Sequence, residues 1–503
     1  MSNSNNPVLG KPYEILLRSH FKEKSFVDSN LESFNNFVET ELQKIIEDIG
    51  DIEPTIIPHN IDDFKIRFDK IWLEMPKITE ADGSERDIYP VEARLRKLSY
   101  AAAIMMEISA HINGIQRESF VTQIGNLPIM LRSKYCHLNG KSREELIKHG
   151  EDPDDLGGYF IINGIEKALI IVEDLASNRM IVEQNSTAKK DFVGKIFSES
   201  GFYKIPHTFE TTKDLVYTIT FTRVKRVELF AIIKALGLVS DEEIVQNINV
   251  PGFNDNLMIN LLDVMDLKTQ EDAMDYVAKK IGITQTREIR IEKVQEILDK
   301  YLLPHVGIDK NARYLKAMNL CRLLRKYILV SNGQLPSDDK DHYANKRLKL
   351  SGDLLGDLIR VNLRVLIDDL LYNFQRIVKR GKFPSIKVII RDKLLTSRIY
   401  SSMATGNWIG GRKGISQRIQ RLNFNETLSH LQRVISPLST SQENFEARSL
   451  HCTHEGRLCP METPEGTNIG LRKNLAMLAS ISHADDEAET IAKLKGLGLK
   501  VVN

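Results

Sequence analysis

Cysteine is scarce in this chain. Only four occur among 503 residues, at Cys136, Cys321, Cys452 and Cys459. They lie mostly far apart, which excludes a disulfide framework and indicates a reducing compartment. Long apolar runs are also missing, since the longest helix-like run, Ala101 to Ile108, is interrupted by Glu107. The polar N-terminus has no signal-peptide core, so we expect a cytoplasmic protein with no membrane partner.

Net charge is nearly absent as well. The chain has 69 Lys and Arg against 68 Asp and Glu, a formal net charge of +1. This balance argues against nonspecific nucleic-acid binding by the whole surface but leaves room for a local basic face. The hydrophobic content of 42% is ordinary for a globular chain with a sizeable core. The length predicts about three to four domains.

The periodicity of apolar residues predicts a mixture of helices and strands. Phe64 to Leu73 alternates like a strand, and Asp353 to Arg380 has the three-and-four spacing of a long amphipathic helix. Asn163-Gly164 between apolar runs indicates a β-hairpin turn. Tyr100 to Asn113 fits a strand or a helix on its pattern. We therefore expect a mixed, multidomain α+β fold.

Composition shifts mark an inserted domain and an unusual C-terminus. Short strands and acidic helices from Thr187 to about Asp338 indicate a second domain inserted into the first. After a predicted helix over Glu487 to Lys495, a short strand from Leu499 to Val502 has no partner further along. Such a strand indicates that the chain stops inside a domain; a frayed edge strand is the alternative.

The stretch from Gly410 to Leu478 carries the clearest functional signal. It begins with a basic segment, continues with a helix-like segment carrying His430 and Arg433, and ends in the turn-rich loop Cys459 to Gly466. Two prolines and a glycine in that loop exclude helix and central strand. Positive charge on a rigid frame suits a phosphate-rich partner. The basic segment contains Arg412, Lys413, Arg418 and Arg421.

Three other chemistries have weaker support. The spacing of His451, Cys452, His454 and Cys459 fits no standard zinc pattern. Gly406 to Gly414 lacks the order of a Walker phosphate loop, although it suits contact with a nucleic-acid backbone. The acidic run Asp338 to Asp341 could bind magnesium, but pairing with nearby cations or a helix N-cap by Asp341 is at least as well supported. No Asp triad typical of a two-metal centre occurs in an apolar strand.

Four stretches, in order, resemble the second-largest, beta-class subunit of multisubunit DNA-directed RNA polymerases. The forms resemble archaeal or eukaryotic members, and the block beginning at Cys459 is the most specific of the four. They are PIMLRSKYCHL at Pro128–Leu138, DLGGYFIINGIEKALIIV at Asp155–Val172, DKDHYANKRLKLSGDLL at Asp339–Leu355 and CPMETPEGTNIGLRKNLA at Cys459–Ala476.

The resemblance implies a layout and a missing half. Members of this family run to about twice this length, so the chain resembles the N-terminal half of a split archaeal second-largest subunit, the form called B''. A C-terminal half, B', would complete the fold and supply zinc-binding and hybrid-binding parts. The implied domains are the protrusion in two parts (1–185 and 341–404), the lobe (186–340), the fork (405–478) and the start of the external region (479–503).

The resemblance also implies a mechanism. The polymerase, a nucleotidyltransferase, joins ribonucleotides by two-metal phosphoryl transfer, with Mg held by aspartates of the largest subunit. This chain would position DNA template, RNA and the incoming NTP, in contact with the other polymerase subunits and with general transcription factors. Arg448 would lie near the triphosphate, Glu465 beside the nucleotide and RNA end, and Arg433 near the hybrid. Residues at or near the first fork loop would be Arg412, Lys413, Gln417, Arg418 and Arg421.

One departure from the family and two rival functions stay open. Ser436 to Asn444 aligns with the second fork loop, but Glu443 and Glu446 make its surroundings acidic, so we expect Glu443 to face solvent or to pair with Arg448. A stand-alone nucleic-acid-binding or modifying protein would need its own metal site and a complete C-terminal fold. A scaffold subunit would never touch nucleotide.

Overall fold

The computed structural model describes residues 14–16, 19–20, 25–57, 61–184, 192–251, 255–383, 385–441, 443–482 and 487–499. The chain divides into two compact units. The first combines Met1–Asp174 with Leu348–Asn503, and the second is Leu175–Arg347. Within the described residues, no helix is both long enough and apolar enough to cross a membrane.

A three-stranded antiparallel sheet forms one part of the first unit. Its strands are Phe64–Leu73, Ala101–Ile112 and Ile115–Pro128, with Ala101–Ile112 in the middle. The predicted strand over Phe64 to Leu73 is confirmed. The ambiguous segment after Tyr100 is also a strand, because it pairs on both sides and buries every second side chain from Ala102 to Ile108.

Long helices pack as a second part of this unit. The predicted amphipathic helix is Ser351–Val378, with Leu354, Leu363 and Phe374 among its buried residues. It packs against Asp28–Asn36, which continues as a π-helical turn, Phe37–Glu41, and then as Leu42–Ile49. The two partners approach closely: the Gly352 N–H donates to Ser33 Oγ at 3.1 Å.

Two small sheets, one of which contains a β-hairpin, hold strands of the stretch from Gly410 to Leu478. Phe160–Ile162 and Ile165–Leu169 are joined by Asn163 and Gly164, with φ of +50° and +76°, so the predicted Asn-Gly turn is confirmed. The hairpin's second strand also pairs with Ser416–Arg418. The following strand, Ile171–Leu175, instead runs parallel to Arg433–Ile435, which pairs with Arg472–Asn474.

A buried ion pair crosses the second of these sheets. The Lys473 Nζ donates to both carboxylate oxygens of Glu173, at 3.0 and 2.9 Å. The side chains are only 8% and 3% exposed, so each charge depends on the other for its stability.

The remaining elements of the first unit are short. The helix Arg143–Lys148 has the predicted capping box between Ser142 and Glu145. The predicted C-terminal helix is Glu487–Gly496, whereas residues 500–502 of the predicted final strand lie outside the described residues. The other elements are Lys77–Thr79, Glu85–Asp87, Pro90–Leu95, Ile386–Ile389, Asp392–Thr405, Ile409–Gly411, Phe424–Leu431, Phe445–Arg448, Cys452–His454 and Gly466–Asn468.

The second unit combines a five-stranded antiparallel sheet with helices. The strands, in sheet order and in reverse chain order, are Val224–Glu228, Tyr217–Phe221, Tyr203–Thr211, Phe192–Ser200 and Ile181–Gln184. The helices are Leu229–Ala235, Asp241–Ile248, Asp255–Asp263, Gln270–Ile281, Arg287–Tyr301, Pro304–Val306, Lys310–Ala312, Arg313–Ser331 and Tyr343–Asn345; the strand Lys346–Lys349 leads back to the first unit.

The second unit has its own core, and its two ends meet. Phe209, Ile219 and Leu320 belong to one buried apolar cluster. The N–H of Ala176 donates to the carbonyl of Asn345 at 2.9 Å, so the entering and leaving segments are adjacent. Helices and sheets occur in both units, which confirms the mixed multidomain fold class.

Gly352→Ala should destabilise the first unit by about 1–3 kcal/mol. The added Cβ would fall 2.2 Å from the Ser33 carbonyl oxygen, whereas a Cβ at Gly356 would meet only the Phe37 ring, at 3.6 Å. Gly356→Ala is therefore the control, and its better helix propensity should leave stability unchanged or raise it by up to about 1 kcal/mol. Urea denaturation measures both. Equal effects of the two substitutions would contradict the close helix contact.

Candidate nucleic-acid interface

The glycine-rich basic loop is anchored by a tryptophan. Trp408, only 6% exposed, donates its indole N–H to the Leu354 carbonyl at 3.0 Å. Its backbone N–H donates to the Arg412 carbonyl at 2.8 Å. Gly410 and Gly414 take φ of +70° and +74°, conformations that glycine adopts without strain. The indole hydrogen bond therefore fixes the turn to the helix Ser351–Val378.

The cations of this loop differ in their surroundings. Arg412 forms an ion pair with Asp174 at 2.7 Å. Lys413 and Arg418 are exposed. Arg418 faces Lys167 across the paired strands, and burial, followed by the charge of Arg418, lowers the pKa of Lys167. Lys413 and Arg418 are therefore two exposed cations, and the charge of Arg418 disfavours the charged form of the neighbouring Lys167.

Arg421 lies in a network of carboxylates. Its guanidinium donates to Glu166 at 2.8 Å and to Asp155 at 3.1 Å, and it lies over the Tyr159 ring at 5.0 Å. Arg94 donates to the other oxygen of Glu166 at 2.9 Å. A cleft of about 780 Å³ opens beside these groups, and Arg418 also lines it. The Arg421 guanidinium is thus fixed by Glu166 of the hairpin and by Asp155, which precedes the hairpin.

Sequence patterns gave little sign of this network. Directly bonded members are separated by up to 266 residues along the chain, and each looks like an ordinary surface charge on its own. The one available signal was the position of Glu166, which follows the Asn163-Gly164 turn and therefore lies at the start of a strand.

The helix-like segment ends earlier than its pattern indicated. The helix is Phe424–Leu431, and Arg433 lies in the strand Arg433–Ile435 instead. The predicted helical position of Arg433 is therefore wrong. The strand forms because Ile171–Leu175 and Arg472–Asn474 supply backbone partners on both sides. Arg433 donates to the Gln420 side-chain oxygen at 3.3 Å, and Glu426 lies 4.0 Å away.

The loop Cys459 to Gly466 has neither helix nor strand through Glu465, as its prolines predicted, and is largely exposed. The Thr463 hydroxyl donates to the Arg472 carbonyl and accepts the Gly470 N–H, both at 3.0 Å. The Glu462 carboxylate accepts a bond from Ser429. Glu465 is exposed and precedes the turn Gly466–Asn468. The loop is thus held through its middle, at Glu462 and Thr463, while most of its residues are exposed to solvent.

Arg448 connects this loop to the one before it. Its guanidinium donates to the carbonyls of Thr467 at 2.7 Å, Ile469 at 3.1 Å and Thr440 at 3.0 Å. Gly470 lies directly against it: a Cβ there would fall 2.1 Å from the Arg448 carbonyl oxygen, and φ is +70°. Glu443 is exposed. Arg448 thereby ties two surface loops together through their backbones.

The other candidate chemistries have ordinary contacts. Asp341 pairs with Lys346 at 3.4 Å, which confirms the ion-pair alternative for that acidic run. His451 Nδ1 lies 2.7 Å from the Thr453 hydroxyl. Within the described ranges, no three His, Cys, Asp or Glu side chains come together as metal ligands.

Comparison with known proteins identifies the family. The profile described as "RNA polymerase beta subunit" matches residues 25–397, and "RNA polymerase Rpb2, domain 3" matches residues 417–481. The first match alone spans well over half of the chain, and the second covers most of the stretch from Gly410 to Leu478. The chain belongs to the RNA polymerase beta-subunit family.

Individual relatives show which members of this family the chain is similar to. The chain is 41% identical over 495 residues to DNA-directed RNA polymerase subunit Rpo2N of Methanocaldococcus jannaschii, covering 97% of this chain and 99% of that one. It is 38% identical to subunit Rpo2N of Halobacterium salinarum, over 96% and 95% of the two chains. Subunit Rpo2 of Saccharolobus shibatae is 42% identical over 93% of this chain, but this chain spans only 41% of that relative's length. The similarity is thus to archaeal second-subunit proteins, nearly end to end for the Rpo2N type.

Stability should fall as the pH is lowered from about 6.5 toward 4. Burial, followed by the charges of Arg433 and Arg472, lowers the pKa of His430 to about 4, whereas an unfolded histidine titrates near about 6.5. Between these values the unfolded chain binds a proton that the folded chain does not, so the free energy of unfolding decreases. His430→Gln should reduce this slope, leaving the part due to buried His207, whose pKa burial also lowers to about 4.

Urea denaturation at pH 4.5 and 7 measures this effect. The same pH slope in the wild type and in His430→Gln would show that His430 is not held neutral in the folded chain.

Proposed function

We propose that this chain is the N-terminal half of the second-largest subunit of a DNA-directed RNA polymerase. It assembles with a C-terminal half of the same subunit, with the largest-subunit chains and with the other polymerase subunits. General transcription factors bind the assembled enzyme. The support is the nearly end-to-end similarity to the Rpo2N relatives, together with the exposed cations Lys413 and Arg418. We infer a cytoplasmic location, where the DNA of an archaeal cell lies.

The two units fit the protrusion, lobe and fork of this family. We assign the protrusion to residues 1–185 and 341–404, the lobe to 186–340, the fork to 405–478 and the start of the external region to 479–503. The compact second unit, Leu175–Arg347, supports the lobe assignment in outline. The fork strands Ser416–Arg418 and Arg433–Ile435 pair with Ile165–Leu169 and Ile171–Leu175 of the protrusion range, so the fork boundary in this proposal rests on the family layout alone.

In this proposal the fork positions the nucleic acids and the nucleotide. The observation that carries it is the arrangement of three exposed side chains on fixed segments: Arg418 on a paired strand, Lys413 on the turn held by Trp408, and Glu465 on the loop held by Thr463. Prearranged cations stabilise phosphate charge without a cost of reorganisation during the reaction. The full proposed set for nucleic acid and NTP is Arg412, Lys413, Gln417, Arg418, Arg421, Arg433, Arg448 and Glu465.

These residues divide into two roles. Lys413 and Arg418 are free of the ion pairs described for their neighbours and would meet phosphate directly. Arg421 would have to leave Glu166 and Asp155 to do so, and we infer that it supports the surface instead. Arg448, bonded to three carbonyls, sets the distance between the loop that carries Glu465 and the loop around Thr440.

Magnesium chemistry belongs to the partner chains in this proposal. Mg²⁺ supplies charge stabilisation in phosphoryl transfer, and the described side chains of this chain offer no cluster that fits it. We infer that its aspartate ligands lie on the largest subunit and that a zinc site lies in the C-terminal half. This chain's own residues bind and orient.

Co-expression with the other polymerase subunits tests the assignment. The chain should co-purify in one complex that synthesises RNA on a DNA template, and omission of this chain should abolish that synthesis. The isolated chain should have no polymerase activity. An isolated chain that transcribes, or a complete complex that forms and transcribes without it, would overturn the proposal.

Arg448→Ala removes three hydrogen bonds to carbonyls of the two loops. In the assembled polymerase it should raise the KM for NTP roughly tenfold, which corresponds to about 1.4 kcal/mol of binding free energy. The reason is that both loops lose their common donor. Arg457→Ala is the matched control, because Arg457 is an exposed arginine nearby with a single bond, to the Thr453 carbonyl at 3.2 Å. Steady-state elongation assays measure both variants. Equal KM values for the two would remove Arg448 from the site.

A further inference from the structure

His430 makes two hydrogen bonds from a buried position. It lies in the helix Phe424–Leu431 and is 1% exposed. Its Nδ1 lies 3.2 Å from the Gln420 backbone nitrogen, and its Nε2 lies 3.2 Å from the Gln417 side-chain oxygen. A backbone N–H can only donate, so Nδ1 is the acceptor. In the neutral ring Nε2 then carries the hydrogen and donates it to Gln417.

This tautomer fixes the direction of the Gln417 amide. Because the Gln417 oxygen accepts from His430, its NH₂ group points the other way, and it donates to the Gly414 carbonyl at 2.8 Å. Gly414 is the left-handed turn residue that follows Arg412 and Lys413. One ring on the helix is therefore connected, through one amide, to the turn of the basic loop.

Gln420, at the C-terminal end of the segment from Ser416 to Gln420, is also bonded to the helix Phe424–Leu431. Gln420 receives a bond on its carbonyl from the Thr427 hydroxyl at 2.9 Å and one on its side chain from Arg433 at 3.3 Å, in addition to donating to His430. The segment from Ser416 to Gln420 thus has both ends fixed to a single short helix. Arg418 lies in its middle and is exposed.

We propose that His430 is a positioning residue that sets the orientation of Gln417 and, through Gly414, the position of the basic loop toward nucleic acid. This inference rests on the proposed function of that loop. A histidine that only filled space would need neither the acceptor at Nδ1 nor the donor at Nε2. The two bonds have different roles: the first holds the backbone at Gln420, and the second orients the loop.

Two substitutions separate the bonds. His430→Gln can place an amide NH₂ near the former Nε2, and His430→Asn can place an oxygen near the former Nδ1 without reaching Gln417. In the assembled polymerase, His430→Asn should lower the affinity for the DNA–RNA scaffold about three- to tenfold, with a change in kcat under about twofold. His430→Gln should restore most of that affinity. Equal affinities of the two variants would overturn the proposal.

A double-mutant cycle with Gln417 tests the connection itself. Gln417→Ala should lose at least as much affinity as His430→Asn, because Gln417 also belongs to the proposed binding set, and the combined variant should lose no more than Gln417→Ala alone, because both substitutions break the same link. Full additivity of the two losses would show that His430 acts independently of Gln417 and would overturn the proposal.

Hydrogen–deuterium exchange of the assembled enzyme separates this inference from the function on which it rests. Peptides covering residues 412–415 should exchange faster in His430→Asn than in His430→Gln. Unchanged exchange there in His430→Asn would overturn the positioning role. Faster exchange with unchanged scaffold affinity would keep the link between His430 and the loop but would overturn the contact of that loop with nucleic acid.

Discussion

The buried pair of Glu173 and Lys473 joins two parts of the chain that are 300 residues apart. Each charge is almost fully removed from water, so neither strand is stable in this place without the other. The pair aligns Ile171–Leu175, Arg433–Ile435 and Arg472–Asn474 in one small sheet. The loops of the candidate interface are attached to that sheet or to the neighbouring one built on Ile165–Leu169, by chain connection or, at Cys459, by a hydrogen bond to the Asn474 carbonyl. The geometry of the site therefore depends on the hairpin region of the first unit.

Arginines in this region have two physical roles. Arg421 and Arg448 direct most of their donors inward, to carboxylates and to backbone carbonyls, and they hold loops in place. Arg418 and Lys413 extend from the surface that these residues stabilise. The planar guanidinium suits the first role, since its several donors lie in a fixed fork. The proposed phosphate-binding role needs both: fixed loops, and charges that remain available.

Local chemistry made several parts of the fold predictable. The alternation from Phe64 to Phe68, resumed at Ile71 and Leu73 after a register shift, favours a strand with one buried face. The Asn163-Gly164 pair is among the few that adopt two successive positive φ values easily. Prolines excluded regular structure from Cys459 to Glu465. The family itself followed from motifs such as the block at Cys459, and the profile matches and relatives confirm it.

Long-range partners made the rest unpredictable. Arg433 continues a helical pattern, but its strand is imposed by Ile171–Leu175, more than 250 residues earlier. The segment after Tyr100 has the alanine and methionine content of a helix and becomes a strand because it is the middle of three. The inward role of Arg421 depends on Asp155 and Glu166, which no local pattern connects to it. Which side chains touch DNA, RNA or NTP stays a prediction.

The second unit is one continuous insertion in the chain, and a backbone hydrogen bond between Ala176 and Asn345 joins its two ends. A ribosome synthesises the helix Asp28–Asn36 long before the helix Ser351–Val378 that packs on it, and the hairpin long before its partner strand Ser416–Arg418. At common rates of about 5–20 residues per second, the first unit waits roughly ten to thirty-five seconds for its missing pieces. The inserted unit, by contrast, has its whole core available when Arg347 emerges. The order of synthesis thus allows the second unit, which starts later, to fold first, while the first unit, which contains the candidate interface, is completed last.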